Sequence, residues 1–137
     1  MADHYRDISA ALSTALNTLA TSLGVDVAWE NSNYDPTVNE SYLRETLLPA
    51  DSAFYTLDSQ GENLGIYQID VITPTNLGKG AAIALADDIA DAFEDNTLTY
   101  GSTTVYTRAV SRAVGRRDGN WYFMPISVSY RSITTAR

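Results

Sequence analysis

The chain has 137 residues, no cysteine and a formal net charge of −8, with 45% hydrophobic and 19% charged residues. This length and composition predict one domain over residues 1–137 with its own core, and the lack of cysteine excludes disulfides and thiolate metal sites. The negative net charge argues against general nucleic-acid binding. No window resembles a membrane span or a signal peptide. We therefore expect a protein made in a reducing cytoplasm without a membrane partner.

The N-terminal third predicts one helix and two short strands. Apolar residues recur at three- and four-residue steps over residues 5–23, as in a helix with one buried face, and Gly24 follows as a C-terminal stop. Alternation of apolar and polar residues predicts strands at Val25–Trp29 and Ser41–Leu48. The Asn, Ser, Asp and Pro residues at 31–39 predict a loop between them.

The middle of the chain changes its hydrophobic period at a Pro/Gly break. Residues 50–63 form a long polar connection, which we predict to be a mobile loop. Tyr67, Ile69 and Val71 then alternate with polar residues, as in a strand with one buried face. After the break, the apolar residues of 81–95 fall on one helical stripe, which predicts an amphipathic helix.

The last third predicts a β-hairpin. Thr103–Val110 has the pattern of a strand, although the four-residue spacing of arginines within 108–115 also fits a short helix. The Asp-Gly pair inside a predicted turn at 115–120 is a strong hairpin signal, and Trp121–Tyr130 alternates as the return strand. We expect both termini to be flexible, with a frayed tail at 133–137.

These elements give the order α-β-β-β-α-β-β. The predicted fold is an α+β, two-layer sandwich, in which a mostly antiparallel (mixed) sheet of about five strands carries both helices on one face. Trp29, Trp121 and Phe123 are candidates for the second face, which a partner or the long loops of the chain would cover.

A glycine-containing break between the central strand and helix is the first candidate site. Gly78-Lys79-Gly80 suggests a phosphate-binding loop, in which backbone N–H groups hold an anion. The Walker pattern fails, because Gly80 stands where Ser or Thr is required and Thr73 where the first glycine belongs. Ile83 replaces the third glycine of the dinucleotide pattern. A flexible helix entry is the alternative, and we expect no cofactor.

Acidic residues of the second helix are the next candidate, because carboxylates one turn apart can chelate a cation. Such faces are more often solvated, and no EF-hand spacing is present. The residues are Asp87, Asp88, Asp91, Glu94 and Asp95.

Catalysis is not expected. His4 is the only histidine and lies beside the terminus, so a Ser-His-Asp or Cys-His arrangement has no base. Asp26 and Glu30 could be imagined as a carboxylate pair for glycoside chemistry, but any acidic protein offers such pairs.

A row of arginines is the fourth candidate. On a strand, Arg108, Arg112 and Arg116 share parity and would project from one face, with Arg117 beside them. Such a row on an acidic protein is a local positive field. It fits contact with another protein, ordinary solubilising charge, or phosphate groups of a nucleic acid.

The pattern of elements resembles a known family. The segments LGIYQIDVITP (64–74) and DGNWYFMPISVSY (118–130), with VAWENSNYDP (27–36) and SYLRETLLPAD (41–51) upstream, are similar to the tail-terminator-like proteins of long-tailed bacteriophages. The resemblance covers most of residues 12–130, and it lies in strand patterns and turn chemistry. It implies a hexameric ring that caps the head-proximal end of the tail tube, stops tube polymerisation and joins the neck, with DNA passing through the lumen.

The sequence and the resemblance together lead us to expect a virion protein that is no enzyme, is assembled in the host cytoplasm, and has as partners itself, the tail-tube protein and a neck or connector protein. The alternatives are another neck or head–tail completion protein, a tail-tube subunit, or a small-molecule or nucleotide-binding module. Candidate tube or neck contacts lie in the 50–63 connection, at Phe54 and Tyr55. Candidate subunit-interface residues are Arg108, Arg112 and Arg116 on one copy and Asp87, Asp88 and Asp91 on the next.

Overall fold

The computed structural model describes residues 4–36, 40–49, 53–54, 60–75, 79–101 and 103–135. Two helices, α1 (His4–Leu23) and α2 (Lys79–Phe93), pack on one face of a mixed sheet. The strands are β1 (Asp26–Ala28), β2 (Tyr42–Pro49), β3 (Ala53–Phe54), β4 (Gln60–Pro74), β5 (Thr97–Tyr100), β6 (Thr103–Arg112), β7 (Arg116–Asp118) and β8 (Trp121–Thr135).

The sheet is organised around its two longest strands. β4 and β8 pair antiparallel over their full 15 residues, from Gln60 opposite Thr135 to Pro74 opposite Trp121. The strand order is β1-β2-β4-β8-β6-β5, with β3 paired to β4 and β7 paired to β8. β1 runs parallel to β2, and the other pairs are antiparallel. β1 and β5 therefore lie at opposite ends of the strand order.

Both helices end where the backbone adopts a left-handed conformation. Gly24 has φ 73° and follows α1, and Val25 N–H closes the cap on the carbonyl of Ala20 at 3.1 Å. Asp95 has φ 47° after α2, and its N–H donates to Arg108 O at 3.0 Å. The end of α2 is thereby tied to β6.

One hydrophobic core joins both helices to alternate residues of the sheet. α1 contacts β1, β2, β5 and β6, whereas α2 contacts β4, β6 and β8. Fully burying one such apolar side chain stabilises the fold by about 1.5–3 kcal/mol. The core includes Leu12 and Leu16 of α1, Ile89 and Phe93 of α2, and Leu43, Tyr67, Ile69, Val71, Ile126 and Val128 of the sheet.

The prediction of a two-layer sandwich with a sheet of about five strands is wrong. The chain does combine α and β elements, but the sheet has more strands and curls into a half-barrel. The difference comes from short strands at the margins, β3, β5 and β7, and from the length of β4 and β8. Long, strongly twisted strands curl a sheet instead of leaving it flat.

Three local predictions also need correction. β3 and the first residues of β4 lie within the predicted loop at 50–63, of which residues 50–52 and 55–59 are outside the described part. β8 continues to Thr135 in pairing with β4, so the expected frayed tail is partly strand. Segment 108–112 belongs to β6, not to a helix, and the predicted turn at 115–120 contains β7.

The Asp-Gly hairpin signal is confirmed. Asp118 pairs with Trp121, which leaves Gly119 and Asn120 as a two-residue loop. Gly119 has φ 61°, a positive value at the first loop position, as a type II′ turn requires.

Candidate assembly surfaces

The sheet face that points away from the helices, here called the outer face, has an apolar patch. Leu48 on β2 and Ile66 on β4 are directly opposite each other, and both side chains are exposed. Beside them, Leu64 and Tyr106 flank Arg131, whose guanidinium lies 6.0 Å from the tyrosine ring centroid. Exposed apolar groups clustered on one face favour contact with another protein.

A charged pair occupies the centre of the outer face. Arg44 Nε and Nη2 donate to Asp70 Oδ2 at 3.0 and 2.7 Å, and Gln68 donates to the other carboxylate oxygen at 2.9 Å. The Arg44 guanidinium also lies 5.5 Å from the ring centroid of Phe123. The Asp70 carboxylate is buried beneath these groups, so its charge is satisfied within the chain.

A ladder of three aromatic rings runs across the outer face from the β1–β2 end to the start of β8. Tyr34 and Tyr42 have centroids 4.9 Å apart, and Tyr42 meets Trp121 edge-on at 5.6 Å. Burial and then the neighbouring Asp26 carboxylate, which accepts the Tyr34 hydroxyl at 3.2 Å, raise the pKa of Tyr34 to about 12. Trp121 and Phe123 lie on the second face as predicted, whereas Trp29 packs against the core.

A cleft of about 360 Å³ opens beside this ladder, and we call it the β1–β2 cleft. A turn forms one wall: Ser32 N–H donates to Trp29 O at 3.2 Å, and Asn31 at the third turn position has φ 60°. Asparagine tolerates this left-handed conformation, which the type II turn needs. The lining residues used below are Glu30, Tyr34, Tyr42, Arg44 and Glu45.

Two carboxylates of the cleft hold in place the part of β2 that β1 does not pair with. β1 covers β2 only as far as Arg44, and Leu47 N–H beyond it donates to Glu30 Oε1 at 3.0 Å. Glu45 Oε2 in turn accepts Glu30 N–H at 3.3 Å. Glu45 Oε1 accepts hydroxyl groups of Ser13 at 2.8 Å and of Tyr67 at 2.5 Å. The cleft is therefore fixed from below by α1 and β4.

The arginine row predicted to share one face is divided by two irregularities, a β-bulge within β6 and the break between β6 and β7. Thr107 is opposite Tyr130 and Val110 is opposite Val128, so β6 uses one residue more than β8 in this stretch. After the bulge, Arg112 is opposite the core residue Ile126. The break at 113–115 again uses one residue more than β8, so Arg116 is opposite Phe123 of the outer face. Directly opposite residues point to the same side of a sheet, so Arg112 and Arg116 point to different sides.

Arg112 has a partner within its own chain. Its Nη2 lies 2.6 Å from Asp87 Oδ1 on α2, and both side chains are largely exposed. An exposed pair of this kind contributes at most about 1 kcal/mol to stability. Arg108, Arg116 and Arg117 are exposed at the same β6–β7 end of the sheet. On α2, Asp91 is exposed and Asp88 is half-buried.

Several predicted site residues fall at the limits of the described part. Phe54 belongs to β3 by its backbone, and Tyr55 lies outside the described residues. Gly78 also lies outside them, and α2 begins at Lys79. Within the described residues, no cluster of His, Asp and Glu is placed to hold a metal ion. Neither described helix is long and apolar enough to cross a membrane.

The β1–β2 cleft was not identified from the sequence. Tyr34 lies in the predicted loop at 31–39, and Glu30 lies between that loop and the predicted strand Val25–Trp29. The pairing of β1 with β2 that brings these residues to Tyr42 and Glu45 carries no local sequence signal. The available indication was the density of aromatic and acidic residues between 26 and 45.

Comparison with known proteins gave a family and a fold. A family model described as phage tail terminator protein matches residues 7–130. The search of curated proteins found no match. One solved chain aligns with a TM-score of 0.76 and 24% identity, covering 95% of each chain. A chain from the virion of a native gene transfer agent particle aligns with a TM-score of 0.67 and 18% identity, covering 98% of this chain and 100% of its own. At these identities the two solved chains share the fold.

Proposed function

This chain belongs to the phage tail terminator family, and on that premise we propose that it is a structural, non-enzymatic protein of the virion tail. In this proposal it forms a homo-oligomeric ring, with six copies expected, at the head-proximal end of the tail tube. The ring stops tube polymerisation, offers the surface that the neck or connector protein joins, and lets DNA pass through its lumen. Assembly takes place in the host cytoplasm.

The family match over residues 7–130 is the observation that carries this proposal, because it spans nearly the whole chain. The gene transfer agent chain adds that a protein of the same fold is part of a virion. A ring also needs two different surfaces that meet head to tail. The sheet offers candidates, since its β1–β2 end and its β6–β7 end differ in shape and charge.

The proposal is tested by imaging the purified chain alone and mixed with tail tubes, using negative-stain electron microscopy and native mass spectrometry. We expect closed rings of one size, and rings seated on one end of the tubes that prevent further growth. Long cylinders formed by the chain alone would identify a tube subunit instead. A persistent monomer that leaves tube growth unchanged would overturn the proposal.

A further inference from the structure

The two ends of the sheet carry opposite charge. The segment from β1 to the middle of β2 holds five carboxylates and one arginine: Asp26, Glu30, Asp35, Glu40 and Glu45, with Arg44. The segment from β6 into β7 holds four arginines before its first acidic residue: Arg108, Arg112, Arg116 and Arg117. Because β1 and β6–β7 lie on opposite sides of the central β4–β8 pair, one molecule presents both charges at once.

The acidic end is concave and lined by aromatic rings. The β1–β2 cleft combines the Tyr34 and Tyr42 rings with the carboxylates of Glu30 and Glu45. Glu30 is exposed, and a carboxylate accepts more hydrogen bonds than the one it receives from Leu47 N–H. A guanidinium fits such a lining, since it stacks on aromatic rings and donates to a carboxylate at the same time.

The arginine already in the cleft does not fill this role. Arg44 directs two N–H groups to the buried Asp70 and lies over Phe123, so its charge is balanced on the outer face. Arg112 is likewise occupied by Asp87 of its own chain. Arg116 and Arg117 are exposed on the three-residue strand β7, at the far side of the sheet from the cleft.

We propose that the β1–β2 cleft of one copy receives the β7 arginines, Arg116 and Arg117, of the next copy. This inference rests on the proposed function and deepens it, because it names the two patches through which the ring would close. The contact is heterologous: each copy gives its basic end to one neighbour and its acidic cleft to the other. It replaces the acidic side of α2 as the acceptor, since the cleft offers carboxylates together with aromatic walls.

The test is a charge swap read by native mass spectrometry and sedimentation velocity at low and high salt. We expect the double variant Arg116→Glu/Arg117→Glu, and separately Glu30→Lys, to weaken association by about tenfold or more, because like charges then meet. Glu30→Gln removes the charge but keeps an acceptor for Leu47 N–H, and it should weaken association less. Lys79→Glu makes the same kind of charge change at the start of α2 and should leave assembly unchanged.

Reciprocal rescue tests whether the β1–β2 cleft of one copy contacts the β7 arginines of the next. A chain carrying Glu30→Lys with both β7 reversals restores opposite charges at every contact, so we expect rings to return. An equimolar mixture of the two single-end variants should form rings in which the variants alternate. Thermal melting of each isolated variant establishes that the chain still folds.

Two results would overturn the inference while leaving the proposed function standing. One is the formation of normal rings both by the Arg116→Glu/Arg117→Glu variant and by the Glu30→Lys variant. The other is a ring disrupted by Asp88→Lys/Asp91→Lys but not by Glu30→Lys or Glu30→Gln, which would make α2 the acceptor. A wild-type chain that stays monomeric at every concentration and on tail tubes would overturn both together.

Discussion

Tyr67 donates its hydroxyl hydrogen bond to Glu45 Oε1 at 2.5 Å, and this contact joins the buried centre of β4 to the floor of the β1–β2 cleft. Burial raises the pKa of Tyr67 far above its ordinary value of 10, and the negative charge of Glu45 raises it further. The tyrosine is therefore neutral in the folded protein well into the alkaline range.

This pKa difference makes the unfolding free energy depend on pH above about pH 10. The unfolded tyrosine releases its proton there while the folded one keeps it, so the unfolded state binds fewer protons and stability falls as the pH rises. The contribution is fully present below pH 10. We expect Tyr67 to add up to about 1.4 kcal/mol of loss per pH unit above that point.

Urea denaturation between pH 7 and 11 measures this effect. Tyr67→Phe should cost about 1.5–3 kcal/mol at pH 7 because it removes a hydrogen bond to a charged group, and it should flatten the alkaline decline. Tyr100→Phe, at an exposed position of β5, is the control. An alkaline decline of equal steepness in the parent and in Tyr67→Phe would contradict this account.

The parts of the fold that were predicted from sequence are those with a long hydrophobic period. The helices at residues 5–23 and 81–95 and the strand around Tyr67–Val71 each repeat one period over several residues. The apolar residues of each element recur at this period because one face of the element is buried in the core.

The missed elements depend on pairing with distant residues. β5 and β7 are short and mostly exposed, so their own side chains give little periodic signal, and neighbouring strands hold them in place. The bulge at Thr107–Val110 places Arg112 on the core side of the sheet, and the break between β6 and β7 returns Arg116 to the outer face, because each adds one residue that shifts the following side chains to the other face. Opposite charges at 26–45 and 103–117 were readable in the sequence, but their placement at opposite ends of the sheet required the strand order.

The Arg44–Asp70 pair should respond asymmetrically to mutation. The Asp70 side chain is 6% exposed and that of Arg44 is 45% exposed. Arg44→Met leaves a buried carboxylate without its cation, and we expect a loss of about 2–3 kcal/mol. Asp70→Asn leaves a guanidinium that water can reach, and about 1 kcal/mol is expected. Chemical denaturation of both variants at pH 7 measures the difference, and equal losses would show that burial does not set the cost.

Two glycines make a matched pair for testing steric limits. A Cβ at Gly65 would lie 2.5 Å from the Tyr130 hydroxyl oxygen and 2.7 Å from the Leu48 carbonyl oxygen, whereas a Cβ at Gly80 meets nothing within 4 Å. We expect Gly65→Ala to cost about 1–3 kcal/mol through overpacking between β2, β4 and β8. Gly80→Ala, inside α2, should add about 0.5 kcal/mol of stability. Melting curves that move in the same direction for both variants would refute the steric argument.

Thr107 holds the bulge of β6 against the end of α2. Its hydroxyl donates to the carbonyl of Phe93 and accepts Asn96 N–H at 3.0 Å, while its own N–H donates to Asn96 O at 2.9 Å. Thr107 is 2% exposed, so water does not replace its bond to the Phe93 carbonyl. Thr107→Val keeps the volume but leaves the buried Phe93 carbonyl and the partly buried Asn96 N–H without this partner, and we expect a loss of about 2 kcal/mol.

The same substitution should loosen the β6–β7 end of the sheet more than the rest of the molecule. Local opening exposes amides near the broken bonds before the core strands exchange. Hydrogen exchange followed by mass spectrometry should therefore show faster exchange at residues 93–97 and 105–112 than in the parent, with β4 unchanged. Thr104→Val, in the same strand before the bulge and half-buried, is the control. Because only residues 113–115 separate this segment from the β7 arginines, association of Thr107→Val subunits should weaken even though no charge has changed. Parent-like exchange at 105–112 would mean that the hydroxyl does not hold the bulge.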